Sequence, residues 1–340
     1  MTPERKPINV AVIGAGAFGR NHARIYHQLQ KESGQVRLVA IADLDPPRAA
    51  SLAQDYAESG TRAFGSIREL IKGDHIQAAS VTVPTVEHLK VAGELMEAGV
   101  DVLIEKPLAA TLADADELVR LARRTGRIAQ VGHLERFNPA VRTTRALLTR
   151  PMFFEVHRMS VFTPRSLDID VVLDLMIHDL DVVLSFVNSP VKEIRAVGLP
   201  ILSGKVDIAN VRMEFESGCV ANFTASRVST ERIRKLRFFQ PKQYISIDYS
   251  RQDVLVFTVA GDPGKPLSGD ATPLGTQIQI SKPAVHAEEP LRAELRAFVE
   301  AVQQRSQPLV SLEEGRNALA LALKIVACIG EHSSRVNLSC

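Results

Sequence analysis

The sequence predicts an α/β protein, with a doubly wound parallel sheet in the N-terminal part and then an α/β domain built on a large, mostly antiparallel open sheet. Three observations carry this. A glycine-rich turn follows the first β-branched run, strand-like and helix-like segments alternate up to about residue 150, and beyond that the pattern lengthens into period-two segments.

The first run, Ile8 to Ile13, reads as a buried strand, and Gly14-Ala15-Gly16-Ala17-Phe18-Gly19 follows it directly. A helix is expected to open at Gly16 or Ala17. In such a strand-turn-helix the first glycine permits a tight turn, the second lets a pyrophosphate approach the backbone, and the third allows helix and strand to pack closely. Free N–H groups and the partial positive charge at the helix start attract phosphate. An ordinary glycine turn is the plainer alternative, and the flanking strands favour a dinucleotide site. The second strand, Val36 to Ala42, ends in Asp43, an acid placed to accept hydrogen bonds from adenosine ribose hydroxyls and to repel a 2′-phosphate. NAD is therefore expected in preference to NADP, with nearby Arg48 keeping NADP open as the lesser alternative.

Alternation continues through a helix over Arg48–Glu58, a short strand over Thr61–Phe64 and a helix from near Ser66. A strand over Ala78–Val83 stops at Pro84. A helix over Glu87–Ala98 leads to the strand Val100–Ile104, which ends at Glu105-Lys106-Pro107, and the helix Leu112–Thr125 precedes Arg127–Gly132. Ligands of such sheets bind beyond the carboxyl ends of the strands; Gly14, Asp43, Pro84 and Lys106 all lie at such ends. The glycine turn is a place to hold a dinucleotide, and Lys106 would bring a charged amine to where a substrate meets the nicotinamide. Together they point to hydride transfer.

Length and composition agree with a two-domain soluble enzyme: 340 residues, 45% hydrophobic and 24% charged. With 41 basic and 39 acidic residues the net charge is only +2, so nothing calls for nucleic acid or an anionic membrane. Cys219, Cys328 and Cys340 are too few and too scattered for a disulfide framework or a zinc site, which suits a reducing compartment. The N-terminal residues lead into the first strand without a signal-type apolar region, and no stretch is long enough to span a bilayer. A cytoplasmic location is expected. The domains are placed at 1–130 and 131–340, with the C-terminal helices as candidates to pack back on the first.

In the second part, Phe153–Ser160 reads as a strand and Ile208–Ser229 as a hairpin turning at Glu216-Ser217-Gly218. Arg234–Tyr249 and Asp253–Val259 continue the strand pattern. Gly261–Pro290 is expected to be a long loop, and helices over Leu291–Gln304 and Leu312–Glu331 close the chain. Val171–Val187 is expected to be a helix that is apolar almost all round, yet Asp174, His178 and Asp181 fall at i, i+4 and i+7 on one stripe. A water-facing stripe is one reading and a metal site another, although no second histidine at metal-ligand spacing supports a metal. No metal is expected.

Gly14–Gly19, Val83-Pro84-Thr85 with His88, Glu105-Lys106-Pro107, and Asp174 with His178 together resemble, in order and spacing, the glucose-fructose oxidoreductase/inositol dehydrogenase/rhizopine catabolism (Gfo/Idh/MocA) family over nearly the whole chain. The resemblance implies a Rossmann domain followed by an α/β domain whose open sheet commonly forms subunit contacts, hence a homodimer or homotetramer. It also implies nicotinamide oxidation of a sugar or polyol hydroxyl. Cofactor contacts would fall on Gly14, Gly16, Ala17, Phe18, Gly19, Asp43, Pro84, His88, Glu105 and Lys106. Lys106 would bridge cofactor and substrate, His178 would take the hydroxyl proton, and Asp174 would orient or assist. The chemistry asks for these types, since hydride departure must be matched by a base near neutral pKa and by a cation for the developing alkoxide. Many family members have a Gly-Gly pair shortly before this aspartate, where this chain has Ile169-Asp170-Val171-Val172, so the start of the helix is expected to differ.

For the substrate, Arg136 and Asn138 follow a strand of the parallel sheet and can reach the edge of the cleft, while Asn138-Pro139 also reads as a capped helix start. Ala225–Ser229 and Arg234–Pro241 resemble a branch of the family that oxidises the 3-hydroxyl of UDP-N-acetylglucosamine in lipid A assembly. Arg227, Arg232, Arg234 and Arg237 would then grip a diphosphate, or instead form a solvated sheet face or subunit contact. A dehydrogenase of inositol or free sugar, and a non-catalytic dinucleotide-binding regulator, remain the alternatives.

Overall fold

The computed structural model describes residues 6–73, 75–163, 167–260 and 277–335, which fall into two compact units. The first comprises residues up to Leu134 together with Glu289–Leu319, and the second Glu135–Glu288 together with the chain from Ala320.

The first unit alternates strand and helix: β1 (Ile8–Ile13), α1 (Ala17–Ser33), β2 (Val36–Ala42), α2 (Pro46–Gln54), β3 (Arg62–Phe64), α3 (Ile67–Gly73), β4 (Ala78–Val81), α4 (His88–Glu97), β5 (Asp101–Glu105), α5 (Leu112–Thr125) and β6 (Ala129–Gly132). The strands pair in parallel in the order β3-β2-β1-β4-β5-β6. The order reverses between β1 and β4, which opens a crevice at their carboxyl ends.

Local chemistry fixes the boundaries. The Asp45 carboxylate accepts the Arg48 N–H and two prolines follow it, so α2 starts two residues earlier than the expected Arg48 and ends at Gln54. Thr111 caps α5 on the Asp114 N–H, and Gly34 and Gly126 end α1 and α5 in the left-handed conformation.

The second unit contains α6 (Pro139–Arg145), β7 (Phe153–Val161), a π-helical turn (Val172–Met176) continuing into α7 (Ile177–Phe186), and then β8 (Val191–Leu199), β9 (Ile208–Phe215), β10 (Val220–Ser229), β11 (Ile233–Gln240), β12 (Gln243–Asp248), β13 (Asp253–Ala260) and β14 (Gln277–Ser281). Its sheet runs β14-β13-β12-β11-β7-β10-β9-β8 and is antiparallel except for the β7–β10 pair. Phe154, Val156, Leu236 and Phe238 project from one face, where Phe186 of α7 meets Phe154 and Phe238. Two strands differ from the sequence expectation. β8 is an edge strand with weak alternation, and β14 lies inside the expected Gly261–Pro290 loop, where the alternating Gln-Ile-Gln-Ile segment extends the edge at β13. Residues 261–276 of that expected loop lie outside the described residues.

The chain closes with α8 (Pro290–Gln304) and α9 (Leu312–Arg335). Leu295, Phe298, Val299 and Val302 of α8 share the first unit's core with Ile25, Tyr26 and Leu29 of α1. Each such large apolar side chain contributes about 1.5–3 kcal/mol on burial. The α9 helix is divided between the units after Leu319.

Candidate functional site

The glycine turn bounds a cavity of about 810 Å³ in the first unit, lined among others by Gly14, Gly16, Ala17, Phe18, Asp43 and Pro84. Gly14 has φ +101°, and a β-carbon there would lie 2.7 Å from the Thr82 carbonyl oxygen. At Gly19 a β-carbon would lie 1.8 Å from the Gly14 carbonyl oxygen, so β1 and α1 can pack this closely only with glycine. Gly16 is the opposite case: a β-carbon there would meet nothing within 4 Å. The space at Gly16 is open to a ligand, and no acidic side chain in the first turn of α1 competes with a phosphate. Asp43 accepts the Ala15 N–H at 2.7 Å and the Asp45 N–H at 2.9 Å, which fixes its carboxylate beside the turn, while Arg48 leans on Asp45 at 3.3 Å. These groups fit a dinucleotide, whose pyrophosphate the turn would hold and whose ribose Asp43 would meet.

At the ends of β4 and β5 the sequence-expected residues divide by role. His88 is 1% exposed, with Nδ1 3.2 Å from the Leu108 carbonyl and Nε2 3.0 Å from that of Val83, so it ties the two segments beneath the cleft. Burial lowers its pKa, and the facing carbonyls oppose that shift. Glu105 is also buried; its carboxylate meets His22 Nε2 at 2.8 Å and accepts the Lys106 N–H at 3.2 Å. Burial alone would raise the Glu105 pKa, but the hydrogen bond and charge of His22, with Lys106, bring it below the ordinary range. Lys106 follows at the carboxyl end of β5, and its bond to Pro107 is cis.

In the second unit Asp174 lies in the π turn and His178 in the first turn of α7. Asp174 therefore stands in a wider turn than the expected α-helix gives, closed by the Ile177 N–H on the Val172 carbonyl. The start of this segment is pinned. Asp170 accepts the Val206 N–H at 2.9 Å, the Val171 N–H bonds the Val206 carbonyl, and the Arg227 guanidinium donates to the Ile169 carbonyl. Arg227 also stands 3.6 Å from Asp207. The Asp207 carboxylate accepts the N–H groups of Ile201, Leu202 and Ser203 and the Ser203 hydroxyl. Burial opposes ionisation, yet these four donors bring its pKa down to about 2.

Behind α7 lies a buried ionic framework that the sequence reading missed. Arg158 donates to both oxygens of Asp179, at 2.6 and 2.9 Å, and to Glu135 at 3.1 Å, with its guanidinium over the Tyr249 ring. Burial would lower the Arg158 pKa; the two carboxylates override it and raise it. Burial, with the Asp179 charge, pushes the Tyr249 hydroxyl well up. Of the expected substrate residues, Arg136 pairs with Asp181 at 3.3 Å, and Asn138 caps α6 while donating to Glu135 and to the Tyr249 carbonyl. Arg237 projects from the opposite sheet face and bonds Glu155 at 3.1 Å. The legible signal for the framework was Arg158 itself, a charge in phase with Phe154 and Val156 on an apolar strand face.

Residues 8–133 match the oxidoreductase family described by an NAD-binding Rossmann fold, and residues 140–245 match the Gfo/Idh/MocA C-terminal domain. The chain belongs to the Gfo/Idh/MocA family. It is an NAD-binding oxidoreductase of that family. It is similar to the UDP-N-acetylglucosamine 3-dehydrogenase of Acidithiobacillus ferrooxidans, 34% identical over 324 residues, covering 94% of this chain and 96% of that one. The solved structure of that enzyme superposes with a TM-score of 0.83 at 32% identity, covering 95% of this chain and 98% of the other. An inositol 2-dehydrogenase of Rubrobacter xylanophilus is 31% identical over 206 residues, covering 58% of each chain.

Gly16→Val is expected to leave the melting temperature of the unliganded protein unchanged while weakening NAD binding by more than about tenfold, ~1.4 kcal/mol, by titration calorimetry; unchanged affinity would remove the pyrophosphate from this turn. For Asp207 the folded pKa lies below the unfolded value of ~3.9, so its stabilisation is complete above that value and disappears as pH falls through about 2. Asp207→Asn is expected to cost about 2 kcal/mol at neutral pH and to flatten the difference between pH ~4 and ~2, read from denaturant midpoints.

Proposed function

We propose that this chain oxidises the 3-hydroxyl of UDP-N-acetylglucosamine to the 3-keto sugar nucleotide, with NAD as the oxidant. The observation that carries this reading is the identity of 34% across nearly the full length of both chains with the A. ferrooxidans enzyme of that name. NAD, when bound, accepts the hydride that leaves C3. In this reading the His178 imidazole takes the O3 proton, the Lys106 ammonium stabilises the negative charge growing on O3, and Asp174 orients the histidine. His88 and Glu105 then act beneath the cofactor surface, fastening the strand ends from which Lys106 projects. The product suits a following aminotransfer and a place in lipid A assembly, and a cytoplasmic setting accords with it. Among the described residues no helix is long and apolar enough to cross a membrane.

The outer face of the second unit's sheet supports self-association as a homodimer or homotetramer. Phe153, Phe239, Tyr244 and Phe257 form a continuous aromatic row across β7, β11, β12 and β13, with successive ring centroids 4.9–5.6 Å apart, and Ile280 of β14 continues it at 64% exposure. An apolar row of this length is the kind of surface that interfaces cover.

The enzyme is expected to reduce NAD with UDP-N-acetylglucosamine and not with free N-acetylglucosamine or inositol, followed by the absorbance of reduced nicotinamide; turnover of free polyols alone would favour the inositol-type reading. Lys106→Met is expected to lower kcat by roughly 10²–10⁴-fold, the range for a positioned acid-base or charge-stabilising group, and full turnover would favour a non-catalytic role. Phe239→Glu is expected to shift the mass measured by light scattering toward the monomer, and an unchanged mass would move the interface elsewhere.

A further inference from the structure

The arginines near β10 and β11 look alike in sequence, but the fold treats them differently. Arg227 is spent on Asp207 and the Ile169 carbonyl, and Arg237 on Glu155 at the opposite face. Arg234 stands directly across from Arg158 on the paired strands β11 and β7. Directly paired residues project from the same face, so Arg234 shares the face that packs on α7. There Arg158 already takes both carboxylates within reach, Asp179 and Glu135. Arg234 is partly buried, its Nε is shielded from water without a hydrogen-bond partner, and among the described residues it forms no ion pair. Two cations opposite each other on neighbouring strands repel, and burial together with Arg158 lowers the Arg234 pKa, only partly opposed by Glu135 and Asp179. A partly buried guanidinium that no carboxylate among the described residues pairs with is suited to a ligand anion. Asp179, whose charge acts on Arg234, is the chain neighbour of His178, so the unanswered cation belongs to the same end of α7 as the proposed base.

We propose that Arg234 holds the diphosphate of the sugar-nucleotide substrate, donating two charge-assisted hydrogen bonds to one phosphate. This rests on the sugar-nucleotide reading above and narrows it to one residue. Guanidinium suits the task because its planar fork presents paired donors to phosphate oxygens and its charge persists under partial burial. Arg227, by contrast, is a positioning residue for the segment that leads to Asp174.

The test uses the full chain saturated with NAD, so that the dinucleotide cleft is filled, and compares wild type with Arg234→Met and Arg234→Lys. UDP and inorganic pyrophosphate are titrated calorimetrically, and melting temperatures are read with and without UDP. Arg234→Met is expected to weaken UDP and pyrophosphate binding by roughly ten- to a hundredfold, the range for a hydrogen bond to a charged group, and to raise KM for the UDP-sugar with a smaller change in kcat. Its melting temperature without UDP should match or exceed that of wild type, since a cation with no ion-pair partner has been removed, while the rise produced by a given UDP concentration should shrink. Arg234→Lys should recover part of the affinity. Unchanged UDP binding in Arg234→Met, or no UDP binding by wild type, would overturn the assignment. If wild type binds UDP through Arg234 but oxidises no UDP-sugar, the substrate reading fails and the anion site stands. If wild type oxidises the UDP-sugar and Arg234→Met does so with the same KM, the reading stands and the site fails.

Discussion

Arg158 is 3% exposed and is held by both oxygens of Asp179 and one of Glu135, a contact on which the joining of three segments of the second unit depends. A buried guanidinium is tolerable only when its donors are answered, and removing one partner from such a pair typically costs about 3–5 kcal/mol. The framework therefore ties three separated pieces of chain together: β7 through Arg158, α7 through Asp179, and the segment before α6 through Glu135. Asn138 extends it from Glu135 to the Tyr249 carbonyl, and Arg136 adds a parallel tie to Asp181. His178 immediately precedes the clamped Asp179, so it stands on a part of α7 that these ties hold against the sheet.

The first unit meets a similar demand by a different route. Close backbone approach at Gly14 and Gly19 brings β1, α1 and Thr82 together, and the Thr82 hydroxyl is within hydrogen-bonding distance of the Ile13 and Gly14 carbonyls. The buried polar groups below the cleft, His22 with Glu105 and His88 with two carbonyls, fix the ends of β4 and β5. In both units, the candidate site residues stand on elements held by buried polar contacts. Preorganisation of this kind is what electrostatic stabilisation of a developing charge requires.

The start of the α7 segment is fixed by side chains rather than by glycine. Where many members carry a glycine pair, this chain has Ile169-Asp170-Val171-Val172, and the backbone is fastened by Asp170, Arg227 and Asp207 before it enters a π turn. β-branched residues restrict the backbone here, and the hydrogen bonds of Asp170 and Arg227 fix its path. Asp174 is presented from a wider turn than an α-helix gives.

Local and periodic features were legible in the sequence. The glycine spacing, the strand-helix alternation and the period-two segments identified the parallel sheet and the larger open sheet, because each is written in adjacent residues. Edge strands were harder: β8 lacks clean alternation and β14 is five residues inside a proline- and glycine-rich stretch, so only pairing with a neighbour makes them strands. Roles of charged residues were hardest, since Arg227, Arg234 and Arg237 are equivalent as letters. Which face each takes, and which carboxylate meets it, depends on strand register and on partners as distant in sequence as Glu155, Arg158 and Asp207. The sequence by itself determined the two kinds of sheet and the dinucleotide turn; the tertiary structure decided which buried charges are answered, because only packing brings the answering groups within reach.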